Sequence, residues 1–85
     1  MSYKVELEAE AAKALTKIPP PDQGRIYDRA MALADDPRPA GCEKLKGFTD
    51  AYRVRQGNYR IVYTIDDVLT IVTITRIAQR GQVYR

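Results

Sequence analysis

The feature that most constrains the fold of this 85-residue chain is a change in the spacing of its apolar residues near Cys42. Before Cys42, most apolar side chains recur at helical spacing, and after it they alternate with polar ones, as in strands. Pro19-Pro20-Pro21 divides the helical part, because proline lacks a backbone donor and disfavours helical conformation in the preceding residue. We therefore predict a mixed α+β domain.

The first half predicts a strand followed by two helices. Residues 3–7 alternate apolar and polar side chains, and residues 9–17 carry apolar side chains at helical spacing. Asp22 favours the start of a second helix, which runs to about residue 34. The apolar stripes of the two helices predict an antiparallel pair, with these positions facing the core: Ala11, Ala12, Leu15, Ile18, Ile26, Ala30 and Leu33.

The second half predicts a sheet. Three runs rich in Val, Ile, Tyr and Thr cover residues 51–55, 59–65 and 68–77. The turns at 56–58 and 66–67 contain residues that tolerate positive φ, so we expect antiparallel hairpins. Residues 68–74 are almost all apolar or Thr, which is typical of a central strand covered on both faces. The predicted fold is one α+β domain over residues 1–85: a strand, an antiparallel two-helix hairpin, then an antiparallel sheet of three further strands.

Composition excludes several classes of protein. The chain has no histidine and a single cysteine, Cys42, so we expect neither a disulfide nor a zinc site, and no metal or other cofactor. The lack of histidine also removes Ser-His and Cys-His dyads and the paired-histidine route to RNA cleavage. No apolar run approaches the roughly 20 residues of a membrane span, and the first residues do not resemble an export signal. We expect a cytoplasmic protein and a half-buried Cys42.

Charge is distributed unevenly along the chain. Residues 1–43 hold six Lys or Arg and eight Asp or Glu, whereas residues 44–85 hold eight Lys or Arg and three Asp. A basic half of this kind favours a polyanionic partner such as a nucleic acid. The alternative is that surface charges scatter unevenly by chance in a short chain.

Three arginines are predicted to crowd together on the sheet. Arg53 and Arg55 share one face of their strand, and a tight turn places Arg60 of the next strand beside Arg55. Facing like charges destabilise a sheet by a few tenths of a kcal/mol up to about 1 kcal/mol, so folding does not require this arrangement. Guanidinium groups match phosphate oxygens bidentately, which favours a phosphate-binding cradle. Alternatively, each arginine pairs separately with Asp50, Asp66 or an acidic residue of a helix.

Further basic residues flank this cluster. Lys44 and Lys46 lie just ahead of the first C-terminal strand, where they extend the basic surface or are ordinary solvated lysines. Arg80, Tyr84 and Arg85 close the chain. A terminal tyrosine is usually only a packed or frayed aromatic.

Four segments of the chain closely resemble the RelE family of bacterial toxins, within the RelE/ParE superfamily. They are Lys44-Leu45-Lys46-Gly47, Tyr52-Arg53-Val54-Arg55, Asn58-Tyr59-Arg60-Ile61-Val62-Tyr63 and Arg80-Gly81-Gln82-Val83-Tyr84-Arg85. The resemblance covers nearly the whole chain and implies a strand and two antiparallel helices packed on an antiparallel sheet. It also implies a toxin that cuts messenger RNA in the ribosomal A site, beside 16S rRNA, and that a RelB-like antitoxin neutralises.

The same resemblance implies roles for individual residues. Arg53 and Arg55 match two basic strand positions of the family's active site, Arg60 its phosphate-binding arginine, Arg80 its C-terminal arginine and Tyr84 its catalytic tyrosine. Lys44, Lys46 and Arg85 would extend the RNA-binding surface. The chain departs from many members twice, because they carry Lys in place of Arg53 and Arg55, and Gly-His in place of Ala78-Gln79.

The implied reaction is attack of an RNA 2′-hydroxyl on its adjacent phosphate, with no metal required. Arginine is a poor general base because its pKa lies above about 12. Tyr84 is therefore our candidate for removing the 2′-hydroxyl proton, and a ribosomal group or water is the alternative. Two other functions remain open for the chain: a ParE-like inhibitor that binds DNA gyrase without cutting nucleic acid, and an inactive binding module.

Overall fold

The computed structural model describes residues 2–45, 47 and 51–79, which form two helices and a five-stranded sheet. In chain order the elements are β1 (Lys4–Leu7), α1 (Ala9–Thr16), α2 (Asp22–Ala32), β2 (Glu43–Lys44), β3 (Ala51–Gln56), β4 (Tyr59–Asp66) and β5 (Ile71–Gln79). The predicted α+β class is confirmed.

The sheet has the strand order β1-β5-β4-β3-β2. The consecutive strands β2 to β5 pair with one another in antiparallel fashion. Strand β1 instead pairs in parallel with β5, from Lys4 opposite Ile71 to Leu7 opposite Ile74. The first strand of the chain therefore joins the sheet beside the last.

The proline tract separates the two helices, as predicted, and α2 ends at Ala32 where the sequence predicted about residue 34. Helix α1 ends at Thr16, and α2 begins at Asp22, directly after Pro21. Neither helix is long and apolar enough to cross a membrane. Among the predicted core positions, Ala12 is exposed and Leu15 only partly buried. The helices and sheet share one core that contains Ala11, Ile18, Ile26, Ala30, Leu33, Val54, Ile61, Tyr63, Ile65, Val72, Ile74 and Ile77.

The last strand differs from its prediction. Val68 and Leu69 lie in the β4–β5 turn, where their side chains are 91% and 64% exposed, and β5 begins only at Ile71. Asp66 fixes this turn, because its Oδ1 accepts hydrogen bonds from the backbone N–H groups of Val68 (3.0 Å) and Leu69 (2.9 Å). Residues 71–74 of β5 do lie between two other strands. In the described part of the chain, however, helices cover only one face of the sheet.

A β-bulge interrupts the pairing of β4 with β5. Val62 lies opposite Arg76 and Tyr63 lies opposite Ile74, so Thr75 is an extra residue in β5. The Thr75 hydroxyl donates to the Val62 carbonyl oxygen at 3.2 Å. One inserted residue reverses the alternation that follows it, and this reversal determines which side chains of β5 face away from the helices.

Candidate nucleic-acid interface

Four arginines from three adjacent strands lie on the sheet face that the described helices leave uncovered. Arg55 on β3 is directly opposite Arg60 on β4, and Arg53 and Arg76 lie on either side of Val62, with which both are paired. Cross-strand partners share a face of a sheet, so all four side chains project from the same side. We call Arg53, Arg55, Arg60 and Arg76 the arginine face.

A two-residue turn brings Arg55 and Arg60 together. Gln56 pairs with Tyr59, which leaves only Gly57 and Asn58 in the loop. Gly57 has φ of +60°, a conformation that glycine adopts without steric cost and that such hairpins need. The predicted shared surface for Arg53, Arg55 and Arg60 is confirmed, while their roles in binding RNA remain predictions.

Glu43 is a carboxylate of this site that the sequence reasoning missed. It lies directly opposite Arg53 on the edge strand β2 and forms an ion pair and hydrogen bond with the Arg53 guanidinium. The expected alternatives, pairing with Asp66 or with a helix carboxylate, do not describe this contact, and Asp50 lies outside the described residues. The charge count that divides the chain before Lys44 places Glu43 in the acidic half. The pairing of β2 with β3 nevertheless brings Glu43 beside the arginines of the basic half.

The arginines around Glu43 control its ionisation. The hydrogen bond from Arg53 lowers the pKa of the Glu43 carboxyl most, and the positive charges of Arg53, Arg55 and Arg60 lower it further. Glu43 is therefore an anion at neutral pH that lies within the field of three arginines. A bound phosphate would meet this negative charge at the edge of the arginine face.

The arginines differ in exposure. The side chain of Arg53 is only 12% exposed, while that of its partner Glu43 is 57% exposed. Arg60 is partly buried, and Arg55 and Arg76 are exposed. Within the described ranges, neither Arg55 nor Arg76 forms an ion pair. Two partly buried and two exposed guanidiniums thus offer donors to an anion that approaches from solvent.

Other predicted site residues are placed differently or not at all. Lys44 is opposite Tyr52, so it projects from the opposite side of the sheet to the arginine face. Four predicted site residues lie outside the described residues, and their positions remain predictions: Lys46, Arg80, Tyr84 and Arg85. Across the described ranges, no three His, Cys, Asp or Glu side chains are grouped to hold a metal ion.

The arrangement is suited to phosphate chemistry. Guanidinium groups that are held in place stabilise negative charge as it develops on phosphate oxygens, and they need no reorganisation at the moment of reaction. An ionised carboxylate beside them can accept a proton from a hydroxyl group. Both kinds of group are present where Glu43 meets Arg53, Arg55 and Arg60.

Comparison with known proteins gives the family. The family model described as "ParE toxin of type II toxin-antitoxin system, parDE" matches residues 5–84. The chain belongs to the RelE/ParE toxin superfamily. It is 31% identical over 86 residues to Toxin RelG of Mycobacterium tuberculosis, covering 100% of this chain and 99% of that protein. Toxin RelE of the same organism is 31% identical over 84 residues, with 98% and 87% covered.

Solved structures of RelE toxins share the fold. The RelBE2 toxin-antitoxin complex of Mycobacterium tuberculosis contains a chain that matches with a TM-score of 0.83 and 29% identity, covering 94% of this chain and 100% of that one. The RelE–RelB complex of Pyrococcus horikoshii gives 0.84 and 28%, with 98% and 100% covered. The resemblance inferred from the four segments is confirmed, and the chain is a RelE-type toxin of a type II toxin-antitoxin system.

Proposed function

We propose that this RelE-type toxin is an endoribonuclease that cuts messenger RNA in the ribosomal A site. The 2′-hydroxyl attacks its adjacent phosphate, which leaves a 2′,3′-cyclic phosphate on one fragment and a 5′-hydroxyl on the other. The observation that carries this proposal is the arginine face, where four guanidiniums and one carboxylate project from three central strands and one edge strand. The reaction needs no metal ion.

The arginines would stabilise the charge of the reacting phosphate. Arg53, Arg55 and Arg60 lie on the paired strands β3 and β4 and would surround its oxygens. In other enzymes, the loss of one such donor costs about 3–4 kcal/mol of transition-state stabilisation. Arg80 would lie near the leaving 5′-oxygen, and Lys46 and Arg85 would make further contacts with RNA.

Two groups are candidates for accepting the 2′-hydroxyl proton. Tyr84 matches the family's catalytic tyrosine, and its hydroxyl would take the proton. Glu43 is the second, because it is a carboxylate at the edge of the arginine face. The lowered pKa of Glu43 keeps it ionised but also makes it a weaker base.

We also propose a protein partner and a ribosomal one. Relatives of this chain have been solved in complex with the antitoxin RelB, and a cognate RelB-like antitoxin would neutralise this toxin. The arginine face would contact the messenger, and the surrounding basic residues would contact 16S rRNA, since phosphates dominate such interfaces.

Gyrase inhibition is the second candidate, because the matching family model carries the ParE description. In that case the helices, and not the sheet, would carry the function. The arginine face favours the nuclease, and so do the two curated relatives with 31% identity, which are named RelG and RelE.

Mapping the 5′ ends of cellular messenger after brief expression tests the proposal. We expect codon-phased breaks in translated regions with the parent chain and none with Arg60→Ala. Arg25→Ala is the matched control, because it removes an exposed arginine of α2. Intact messenger together with DNA-damage signalling would show that the chain acts on gyrase.

A further inference from the structure

Arg76 reaches the arginine face only because of the β-bulge. Val72 and Ile74 point into the core, so strict alternation along β5 would send Arg76 to the same side. The extra residue, Thr75, reverses this order and places Arg76 opposite Val62, while Ile77 takes the core position opposite Ile61. Bulges are frequent beside functional sites, where they redirect a side chain.

Folding gains little from an arginine at this position. Arg76 is exposed and forms no ion pair with any described residue. Glu10 of α1 lines the same shallow cleft as Arg76, beside residues 75–78 of β5, yet the two charges are not paired. The fourth guanidinium also adds repulsion to a face on which Arg55 and Arg60 already oppose each other.

Arg76 lies on the β5 side of the arginine face, diagonal to Arg60 on the adjacent strand and two strands away from Arg53 and Arg55. Arg76 and Arg53 flank Val62, so two strand spacings, or about 10 Å, separate their backbones. Val62 itself is only 9% exposed, so the neighbouring side chains of this face cover it. A phosphate held between Arg55 and Arg60 lies towards β3, which leaves Arg76 on β5 able to bind a different phosphate of the same RNA strand.

We propose that Arg76 binds a messenger phosphate that neighbours the scissile one and so fixes the register of the RNA on the sheet. This inference rests on the proposed endoribonuclease function. It predicts that Arg76 contributes to holding the messenger, and that its partner is one particular phosphate that does not react.

Neutralising single phosphates tests this contact. Ribosomes are programmed with a messenger that carries a 2′-O-methyl group at the scissile nucleotide, so that it cannot be cut. Two further messengers replace either the 5′ or the 3′ flanking phosphate by an uncharged methylphosphonate. Binding to all three messengers is measured for the parent chain, Arg76→Ala, Arg76→Lys and the control Arg25→Ala. The change at Arg76 and the change at one phosphate then form a double-mutant cycle for each phosphate.

On the unmodified messenger we expect Arg76→Ala to weaken binding roughly tenfold. It should also reduce the slope of log K against log salt by about 0.7, the value for one single-strand phosphate. Arg76→Lys should recover part of the affinity. One of the two methylphosphonates should abolish the difference between Arg76→Ala and the parent chain, because the contact is then already lost.

Other outcomes overturn the inference. If Arg76→Ala binds as tightly as Arg25→Ala, Arg76 holds neither flanking phosphate. The same conclusion follows if Arg76→Ala loses the same amount of affinity on all three messengers. If the parent chain cuts messenger on programmed ribosomes and Arg76→Ala shows either result, this contact is refuted and the proposed function is not. If the parent chain neither binds programmed ribosomes nor cuts their messenger, the proposed function is refuted, and this inference with it.

Discussion

Arg55 and Arg60 occupy directly opposed positions on β3 and β4, an arrangement that costs the fold free energy because like charges face each other. Glu43 offsets part of this repulsion from the edge strand, where it pairs with Arg53. Residues that a fold would be more stable without are expected at functional sites, where activity and stability conflict. The opposed pair is therefore a better marker of function than the net charge of +3.

Replacing Arg55 by alanine separates these two effects. The Arg55 side chain is exposed, so we expect Arg55→Ala to leave the free energy of unfolding unchanged or to raise it by up to about 1 kcal/mol. Single-turnover cleavage on programmed ribosomes should fall by roughly 10²- to 10³-fold. Thermal denaturation and cleavage are measured on the same preparations, with Arg25→Ala as control. A clear loss of thermal stability would mean that Arg55 has a structural role.

Tyr84→Phe tests the proposed proton acceptor. The substitution keeps the ring and removes only the hydroxyl group, so ribosome affinity should barely change. We expect single-turnover cleavage to fall by roughly 10²- to 10⁴-fold, the usual scale for a lost acid–base group. If Tyr84→Phe cleaves like the parent chain while Glu43→Gln does not, the proton goes to the carboxylate.

At the scale of elements, a buried tyrosine ties β4 to the loop between α2 and β2. The Tyr63 hydroxyl donates to the Pro37 carbonyl oxygen at 2.7 Å, and burial raises the pKa of Tyr63, so that it keeps its proton. Tyr52 stacks on Tyr63 with 5.9 Å between ring centroids, and the Arg38 guanidinium lies 5.3 Å from the centroid of Tyr52. These contacts hold the segment that leads into β2 and Glu43.

Tyr63→Phe should therefore destabilise the whole domain. The substitution leaves the Pro37 carbonyl without this partner at a buried site, which costs about 1–2 kcal/mol. For a domain of this size, we expect Tm to fall by roughly 5–10 °C, as measured by calorimetry. Tyr27→Phe is the control, because that residue is 50% exposed. Equal Tm values for the two variants would contradict the structural role of the Tyr63 hydrogen bond.

Local patterns predicted the elements but not all of their partners. The proline tract and the Gly57-Asn58 turn act over a few residues, so both helices and the β3–β4 hairpin followed from the sequence. The pairing of β1 with β5 joins distant parts of the chain, and residue alternation carries no signal for it. The two-residue strand β2 is too short to show a period, which hid the contact between Glu43 and Arg53.

The site was predictable to the same extent. Arg53, Arg55 and Arg60 followed from strand alternation and one tight turn. The position of Arg76 on the arginine face did not follow from the sequence, because the bulge reverses the alternation of side chains along β5 and no residue type indicates where a bulge occurs. The start of β5 was also misplaced, since Val68 and Leu69 have strand-forming side chains, although the Asp66 carboxylate holds both in a turn.

For the whole molecule, two ion pairs make stability depend on pH. Hydrogen bonds from Arg53 and from Arg38 are the main reason that the pKa values of Glu43 and Asp67 lie below their ordinary values of 4.5 and 3.8. The unfolded chain therefore binds more protons near these values. The contribution of both groups to stability is fully present above their ordinary pKa values and is lost as pH falls through the lowered, folded-state values.

We accordingly expect the Tm of the parent chain to fall as pH is lowered from about 5 towards 3. The double variant Glu43→Gln, Asp67→Asn should show a weaker dependence over this window, because neither replaced group titrates. Both proteins are melted at a series of pH values at constant ionic strength. Parallel curves for the two proteins would mean that other carboxylates cause the acid sensitivity.

The basic surface of the molecule as a whole should make ribosome binding strongly dependent on salt. Each phosphate that an arginine or lysine neutralises releases counterions, so log K falls linearly with log salt concentration. With about four to six phosphates neutralised, we expect a slope on the order of −3 to −5 for the parent chain on uncleavable programmed ribosomes. Arg60→Ala should make the slope shallower, whereas Arg25→Ala on α2 should leave it unchanged. A nearly flat dependence would show that the toxin docks through a surface other than the arginine face.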